Sequence, residues 1–175
     1  MKKTLTLLLL TIAMFLAGDV AAQTIKIPGT ENSLTLAADS WNYLRTFTLD
    51  DGANVYIYYY SKNPVVDGTG DTVLPCLRIY VNKYYKGDLF SLVYQRYVAQ
   101  PYQSLREYMH GPGLPKSGGI GYEGAYTNPK EQRDYEFMMT YFKSGSAYVE
   151  LRLETTKDTY NQMKGEFTNV LNSLK

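Results

Sequence analysis

The chain of 175 residues holds 18 Lys and Arg against 17 Asp and Glu, which gives a formal net charge of +1. This balance argues against a nucleic-acid-binding protein, which carries a basic stripe, and it offers no polybasic patch to an anionic membrane. One cysteine cannot form an internal disulfide, and one cysteine with one histidine cannot supply the four ligands of a usual structural zinc site. We therefore expect no cofactor and no metal.

The N-terminus resembles a bacterial export signal. Lys2 and Lys3 precede an apolar run at residues 5–17, and small residues follow at 20–22. A membrane-spanning helix needs roughly 20 apolar residues, so this run is too short to span unless it is extended. We predict cleavage after Ala22, one globular domain at residues 23–175, and a location in the periplasm or outside the cell. Cleavage would leave 16 basic and 16 acidic residues.

The first half of the mature chain has the pattern of β-strands separated by turns. Asp50, Asp51 and Gly52 form a turn signal, and residues 62–72 form a loop rich in proline, glycine and aspartate. The predicted strands cover residues 33–37, 41–49, 55–61 and 74–82.

Apolar residues recur at helical spacing after Asp88 and predict a helix with Asp88 as its N-cap residue. Pro101 interrupts this helix. We predict a second short helical piece at residues 104–110 and a glycine-rich loop at 111–121. A meander of strands at residues 122–127, 135–143 and 147–154 follows. The last segment predicts an amphipathic helix whose apolar face is formed by Tyr160, Met163, Phe167, Val170, Leu171 and Leu174.

Side chains alternate across a strand, so each strand divides into two faces. Three strands carry one aliphatic face and one face of tyrosine and charge, and we expect the aliphatic faces to pack under the C-terminal helix. The other face is the candidate ligand or partner surface, because tyrosine combines an apolar ring with a hydroxyl. Its proposed residues are Tyr56, Tyr58, Tyr60, Tyr80, Tyr148 and Arg152. Alternatively, the first helix covers this face, and the charges at residues 78, 150, 152 and 154 pair across strands.

Few residues could carry catalytic chemistry. A nucleophilic pair would need Cys76 and His110, yet Cys76 lies on a predicted strand where a small buried hydrophobe is the usual role. Asp67, Thr69 and Asp71 occupy alternate positions, as the first ligands of a calcium-binding loop do. The glutamate expected at the twelfth position of such a loop is absent. A solvated turn explains this loop better.

The end of the chain, "AYVELRLETTKDTYNQMKGEFTNVLNSLK", joins a strand to a helix through a short Thr-Lys-Asp turn. With the early tryptophan strand, the tyrosine-rich strand and "LRIYV", it resembles the PsbP-like superfamily, and the last 29 residues carry most of the likeness. The resemblance implies an α+β fold, an antiparallel sheet between helices in an α/β/α sandwich. It also implies binding or assembly rather than catalysis, and no catalytic motif comes with it.

The sequence therefore predicts an exported, non-enzymatic binding or assembly domain. Its contact surface would be the tyrosine face or the loops at 62–73 and 111–121, and its partner an envelope protein or a small ligand. Neither nucleic acid nor stable membrane insertion after signal cleavage is expected. One alternative is a cell-envelope hydrolase that uses two carboxylates, although Glu150 and Glu154 are about 13 Å apart along their strand. The other is a structural subunit of an envelope complex, which a large exposed apolar patch would favour.

Overall fold

The computed structural model describes residues 22–100, 102–108 and 118–175, with the backbone alone at residue 108. The predicted signal peptide up to residue 21, His110 and most of the predicted loop at 111–121 lie outside these residues, so cleavage after Ala22 stays a prediction. No helix within the described ranges has the length and apolarity needed to cross a membrane.

The described residues form two helices and eleven strands. The helices are α1 (Leu89–Ala99) and α2 (Tyr160–Asn172). The strands are β1 (Ala22–Lys26), β2 (Ser33–Ala37), β3 (Trp41–Thr48), β4 (Asn54–Tyr60), β5 (Val65–Val66), β6 (Thr72–Val73), β7 (Cys76–Asn82), β8 (Ser104–Tyr108), β9 (Gly119–Asn128), β10 (Arg133–Ser144) and β11 (Ala147–Thr156).

Seven strands form the main antiparallel sheet, in the order β3-β4-β7-β11-β10-β9-β8. β1 pairs with β2 and β5 pairs with β6 in two small separate sheets. The central strand β11 is buried along all ten residues. The predicted antiparallel sheet with flanking helices is confirmed. The fold is dominated by its strands, and the full α/β/α sandwich stays a prediction.

One side of the sheet, here called the α2 face, packs against the C-terminal helix as predicted. Helix α2 buries an apolar stripe that includes Met163, Phe167 and Leu171. This stripe packs against alternate residues of the central strands, such as Leu77 and Leu151. A continuous hydrophobic core results, and burial of apolar surface at about 25 cal/mol per Å² supplies most of its stabilisation.

The opposite side, here called the α1 face, packs against the first helix over part of its area. Asp88 caps this helix, since its Oδ1 accepts a 2.7 Å hydrogen bond from the backbone N–H of Ser91, as the sequence predicted. Leu92 is the buried residue of the helix and packs against Val55 and Tyr80. The remaining area of this face, towards β3 and β4, lies beside the helix rather than beneath it.

Local predictions fail where pairing between distant segments decides the structure. Residues 104–108 form strand β8 rather than a helix, because they extend the sheet edge by pairing with β9. β9 begins at Gly119, inside the predicted loop. Gly124 allows the close approach of the two strands, since a Cβ atom there would lie 2.4 Å from the backbone oxygen of Ser104. β1 is a strand that the sequence analysis did not predict.

The predicted faces of strand β4 are present, but the side of the sheet expected for each of them is wrong. The register pairs Tyr58 with Leu77 and Ile57 with Arg78, and paired residues of antiparallel strands point to the same side. Tyr56, Tyr58 and Tyr60 therefore pack on the α2 face. The aliphatic residues of β4 lie on the α1 face instead of under helix α2. Both sides of β4 are apolar enough to be buried, so alternation alone did not determine its register.

We expect Phe167→Ala to lower the free energy of unfolding by about 3–5 kcal/mol, because Phe167 is 0% exposed and its removal leaves a cavity. Urea denaturation followed by circular dichroism measures this. Phe90→Ala on α1 is the matched control, since Phe90 is 68% exposed and its loss should change stability by no more than about 0.5 kcal/mol. Equal losses for both variants would contradict the assigned core.

Candidate functional site

Two rows of side chains cross the α1 face from the edge strand β3 to the central strand β11. Strand pairing sets Arg45 opposite Ile57, Ile57 opposite Arg78, and Arg78 opposite Arg152. The neighbouring row runs through Phe47, Val55, Tyr80 and Glu150 in the same strand order. Adjacent strands are about 4.8 Å apart, so these rows place cationic and apolar groups side by side.

Arg78 and Arg152 lie directly opposite each other, an arrangement that repulsion between like charges disfavours. Glu154 compensates for it. Its Oε1 is 2.5 Å from Nη2 of Arg78, and its Oε2 is 2.7 Å from Nε of Arg152. The Glu154 side chain is 1% exposed and that of Arg152 is 5% exposed. One buried carboxylate thus neutralises part of the charge of two guanidiniums.

Helix α1 supplies two more polar groups to this region. Nε of Arg96 donates a 3.0 Å hydrogen bond to Oε2 of Glu150, and the Arg96 guanidinium lies 4.5 Å from the ring centre of Tyr80. Gln100 follows the last residue of the helix, and its Oε1 accepts a 2.7 Å hydrogen bond from Nη1 of Arg152. The C-terminal half of α1 therefore forms one wall beside the two rows.

The guanidinium of Arg152 is buried among aromatic rings with its hydrogen-bonding capacity only partly used. Its central carbon lies 4.7 Å from the ring centres of both Tyr126 and Phe137. Within the described ranges, Nε and Nη2 are buried without a hydrogen-bond acceptor. The contact of Nε with Glu154 is an ion pair by distance and lacks hydrogen-bond geometry. Such unsatisfied donors are costly in a protein interior.

These groups enclose a cleft of about 320 Å³, here called the arginine cleft. Its polar lining consists of Arg45, Arg78, Arg96, Arg152, Glu150 and Gln100, and the rest consists of Phe47, Leu49, Val55, Ile57 and Tyr80. The four guanidiniums face two carboxylates, those of Glu150 and Glu154. Within the described part of the chain, Arg45 makes no ion pair. The cleft therefore carries an excess of positive charge.

Arg96, Arg152 and Tyr80 keep their protonation states near neutral pH. The attraction of Glu150 raises the pKa of the Arg96 guanidinium above its ordinary value. Burial opposes the charge of Arg152, but the attractions of Glu154, Tyr102, Glu150 and Tyr126 together outweigh it and raise the pKa of this guanidinium as well. Burial raises the pKa of Tyr80 to about 12, so its hydroxyl stays neutral. The cleft is cationic throughout the physiological range.

The structure separates the predicted site residues into two groups. Tyr56, Tyr58 and Tyr60 lie on the α2 face. Tyr80, Tyr148 and Arg152 lie on the α1 face, and of these Tyr80 and Arg152 line the arginine cleft. The hydroxyl of Tyr148 donates a 2.7 Å hydrogen bond to the backbone oxygen of Gly87. Tyr148 is thus part of the packing beside helix α1.

Features of the alternative are present in part: helix α1 covers part of the face and Arg78 pairs with Glu154 across strands, whereas Glu150 pairs with the helix. Sequence reasoning missed Arg45, Arg96 and Gln100 as site residues. Arg96 lies beside the apolar stripe of α1, where a charge usually faces solvent. Arg45 lies on β3, where every residue after Trp41 is exposed. Only the pairing of β3 with β4 therefore shows that Arg45 is next to the cleft.

The calcium alternative does not fit the loop that suggested it. Oδ1 of Asp67 accepts hydrogen bonds from the backbone N–H groups of Thr69 and Asp71, each 3.0 Å long. Its Oδ2 pairs with Arg133 at 3.0 Å. The carboxylate thus holds its own turn and an arginine. Across the described ranges, no group of three or more His, Cys, Asp or Glu residues could hold a metal ion.

Comparison with known proteins gives a likeness of fold. A scan against protein-family models and a search of curated proteins each find no match. Among solved structures, the chain is similar to cyanobacterial PsbP (CyanoP) from Synechocystis sp. PCC 6803, with 12% identity and a TM-score of 0.49. The match covers 91% of this chain and 94% of that one. The PsbP-like resemblance expected from the sequence is thus found again as a likeness of fold.

We expect Glu154→Gln to lower the free energy of unfolding by about 3 kcal/mol, because it leaves two arginines without their shared counter-charge. The value lies at the low end for broken buried pairs because the Arg78 side chain is 46% exposed. Chemical denaturation measures the loss. Glu131→Gln is the control, since Glu131 is exposed and its change should have a much smaller effect. Similar effects for the two variants would contradict the role of Glu154.

Cys76 should react slowly in the folded protein. Burial raises the pKa of its thiol to about 12, and the thiolate is the form that reacts. We expect modification by a disulfide reagent at neutral pH to be at least about a hundredfold slower than in the urea-unfolded chain. Equal rates would show that Cys76 has an accessible, activated thiol and would revive a nucleophilic role.

Proposed function

We propose that this protein is an exported, non-enzymatic binding domain that holds a small anionic ligand in the arginine cleft. The observation that carries the proposal is the buried guanidinium of Arg152, whose Nη2 has no hydrogen-bond acceptor among the described residues. Buried charged groups are normally paired and hydrogen-bonded. Arg152 lines the cleft, so an anion bound there would lie beside this guanidinium and offset its charge.

The charge of the cleft supports the same ligand class. Arg78 and Arg152 share the carboxylate of Glu154, and Arg96 pairs with that of Glu150. Arg45 lies at the exposed edge of the sheet. Guanidinium groups present planar pairs of donors that match carboxylate, phosphate and sulfate oxygens. Adding one anion would relieve repulsion between the arginines.

The shape of the cleft favours a small molecule over a protein surface. Its volume of about 320 Å³ is near the lower end of small-molecule sites, roughly 300–1,000 Å³. Val55, Ile57 and Tyr80 in its lining are buried residues, which a flat protein partner would not reach. Export to the periplasm or beyond rests on the N-terminal signal pattern.

A hydrolase with two carboxylates finds no support in this cleft. Glu150 and Glu154 each contact a guanidinium, so both carboxylates are already engaged by the arginines of the cleft. A glycosidase instead turns two carboxyl groups towards the glycosidic bond of its substrate. We therefore assign these glutamates to neutralisation and positioning of the arginines.

A partner-binding role is the second candidate, and exposed aromatic residues on helix α1 favour it. Phe90 and Tyr94 are each 68% exposed, and Val98 is 64% exposed. The three residues are spaced four apart, so they lie on the same face of the helix. Native mass spectrometry of the protein isolated gently from its own source separates the two roles. A small added mass lost on unfolding supports the ligand, and a second polypeptide supports the partner.

We expect calorimetric titration at low ionic strength to detect binding of an anion from the panel sulfate, phosphate and acetate, with sodium chloride as reference. Arg45→Gln should weaken this binding about threefold to tenfold, as expected for an exposed charge worth roughly 1 kcal/mol. Arg45 is exposed, so its replacement should leave the fold intact.

Arg106→Gln is the matched control for this titration. It removes the same charge from another exposed arginine, on β8 at the far end of the sheet, which pairs with Glu123. Its affinity should equal that of the unaltered protein. The proposal is contradicted if no anion binds, or if Arg106→Gln weakens binding as much as Arg45→Gln does.

A further inference from the structure

The arginine cleft has two chemically different ends. On β7, β11 and helix α1 its lining is charged, with Arg78, Arg152 and Arg96. On β3 and β4 it is apolar except for Arg45 at the rim, with Phe47 and Val55 in one row and Ile57 in the next. The two ends are one strand spacing apart, because Ile57 pairs with Arg78 and Val55 pairs with Tyr80.

We propose that the ligand of this cleft is an amphiphilic carboxylate, with its head group at Arg78 and Arg152 and its apolar body against β3 and β4. This inference rests on the proposed anion-binding function and narrows it to a substrate class. An inorganic anion would satisfy the arginines but would leave the apolar end of the cleft in water. A neutral apolar molecule would leave the unsatisfied donors of Arg152 as they are.

The apolar end is available to a ligand. Phe47 is 38% exposed and lies on β3, the edge strand of the sheet. Leu49, directly after the same strand, is partly buried and packs against the cluster around Val55. Covering this surface with a hydrocarbon body would be favourable, since each buried methylene contributes about 0.8 kcal/mol in transfer from water.

The charged end suits a single negative charge. Glu150 lines the same cleft, and a second carboxylate close to the ligand head disfavours a dianion more than a monoanion. A carboxylate is planar and singly charged, and it accepts two parallel hydrogen bonds from one guanidinium. At the rim, the Arg45 guanidinium lies 5.5 Å from the ring centre of Phe47, so charge and apolar surface meet again where a ligand would pass.

Isothermal titration with octanoate, acetate and octanol tests this inference on the intact protein, with concentrations up to about 10 mM to cover weak binding. Octanoate should bind at least about tenfold more tightly than acetate, because its chain adds buried methylenes. It should also bind more tightly than octanol, which has the chain without the charge.

Two variants of β3 localise the apolar contact. Phe47→Ser should weaken octanoate binding at least about fivefold. Tyr43→Ser is the matched control, because Tyr43 is an exposed aromatic residue of the same strand that packs against Tyr58 rather than lining the cleft. Its octanoate affinity should equal that of the unaltered protein.

The outcomes separate this inference from the function on which it rests. Equal affinities for octanoate and acetate would overturn the amphiphilic ligand and leave an anion site intact. Octanol binding as tightly as octanoate would overturn both, because the arginines would then contribute nothing. The amphiphilic ligand and the anion-binding function are both contradicted if no anion binds, octanoate included. Loss of octanoate binding in Tyr43→Ser to the same extent as in Phe47→Ser would overturn the placement on β3 and β4.

Discussion

Glu154 lies between arginines on two neighbouring strands, and the α1 face depends on this arrangement. Without its carboxylate, Arg78 and Arg152 would oppose each other across β7 and β11 with nothing to offset their repulsion. Removing charges from water costs several kcal/mol per ion even when they are paired. Such a cost in the middle of the sheet is hard to explain by stability alone, since well-packed apolar residues would serve stability as well.

The surroundings of Arg152 fix its guanidinium in one position, which suits the binding of an anion. The ring faces of Tyr126 and Phe137 hold the guanidinium in place, and Gln100 fixes one of its ends. An arginine held in this way is preorganised, and preorganised donors lose little entropy on binding. The same rigidity explains how a donor can stay unsatisfied, because the side chain cannot turn to find an acceptor elsewhere.

Much of the fold could be predicted from local sequence, and the site could not. The helix after Asp88, the C-terminal helix and the meander have strong periodicity. The periodicity of β4 is not sufficient in this way. Its neighbouring residues Tyr56 and Ile57 point to opposite sides and both are large and apolar, so the register of β4 depends on its pairing with β7. The cleft depends in turn on that register. Residues 104–108 likewise became a strand through pairing with β9, a contact that no local window contains.

The position of β11 in the sheet has a consequence for how the chain assembles. Strands β3, β4 and β7 form one half-sheet, β10, β9 and β8 form the other, and β11 is the strand that joins them. It is also the last strand of the described chain. Until it is made and inserted, each half-sheet has an open edge that can pair with other chains, and its non-local pairing is slow to form. A truncation before β11 would leave two half-sheets prone to aggregation.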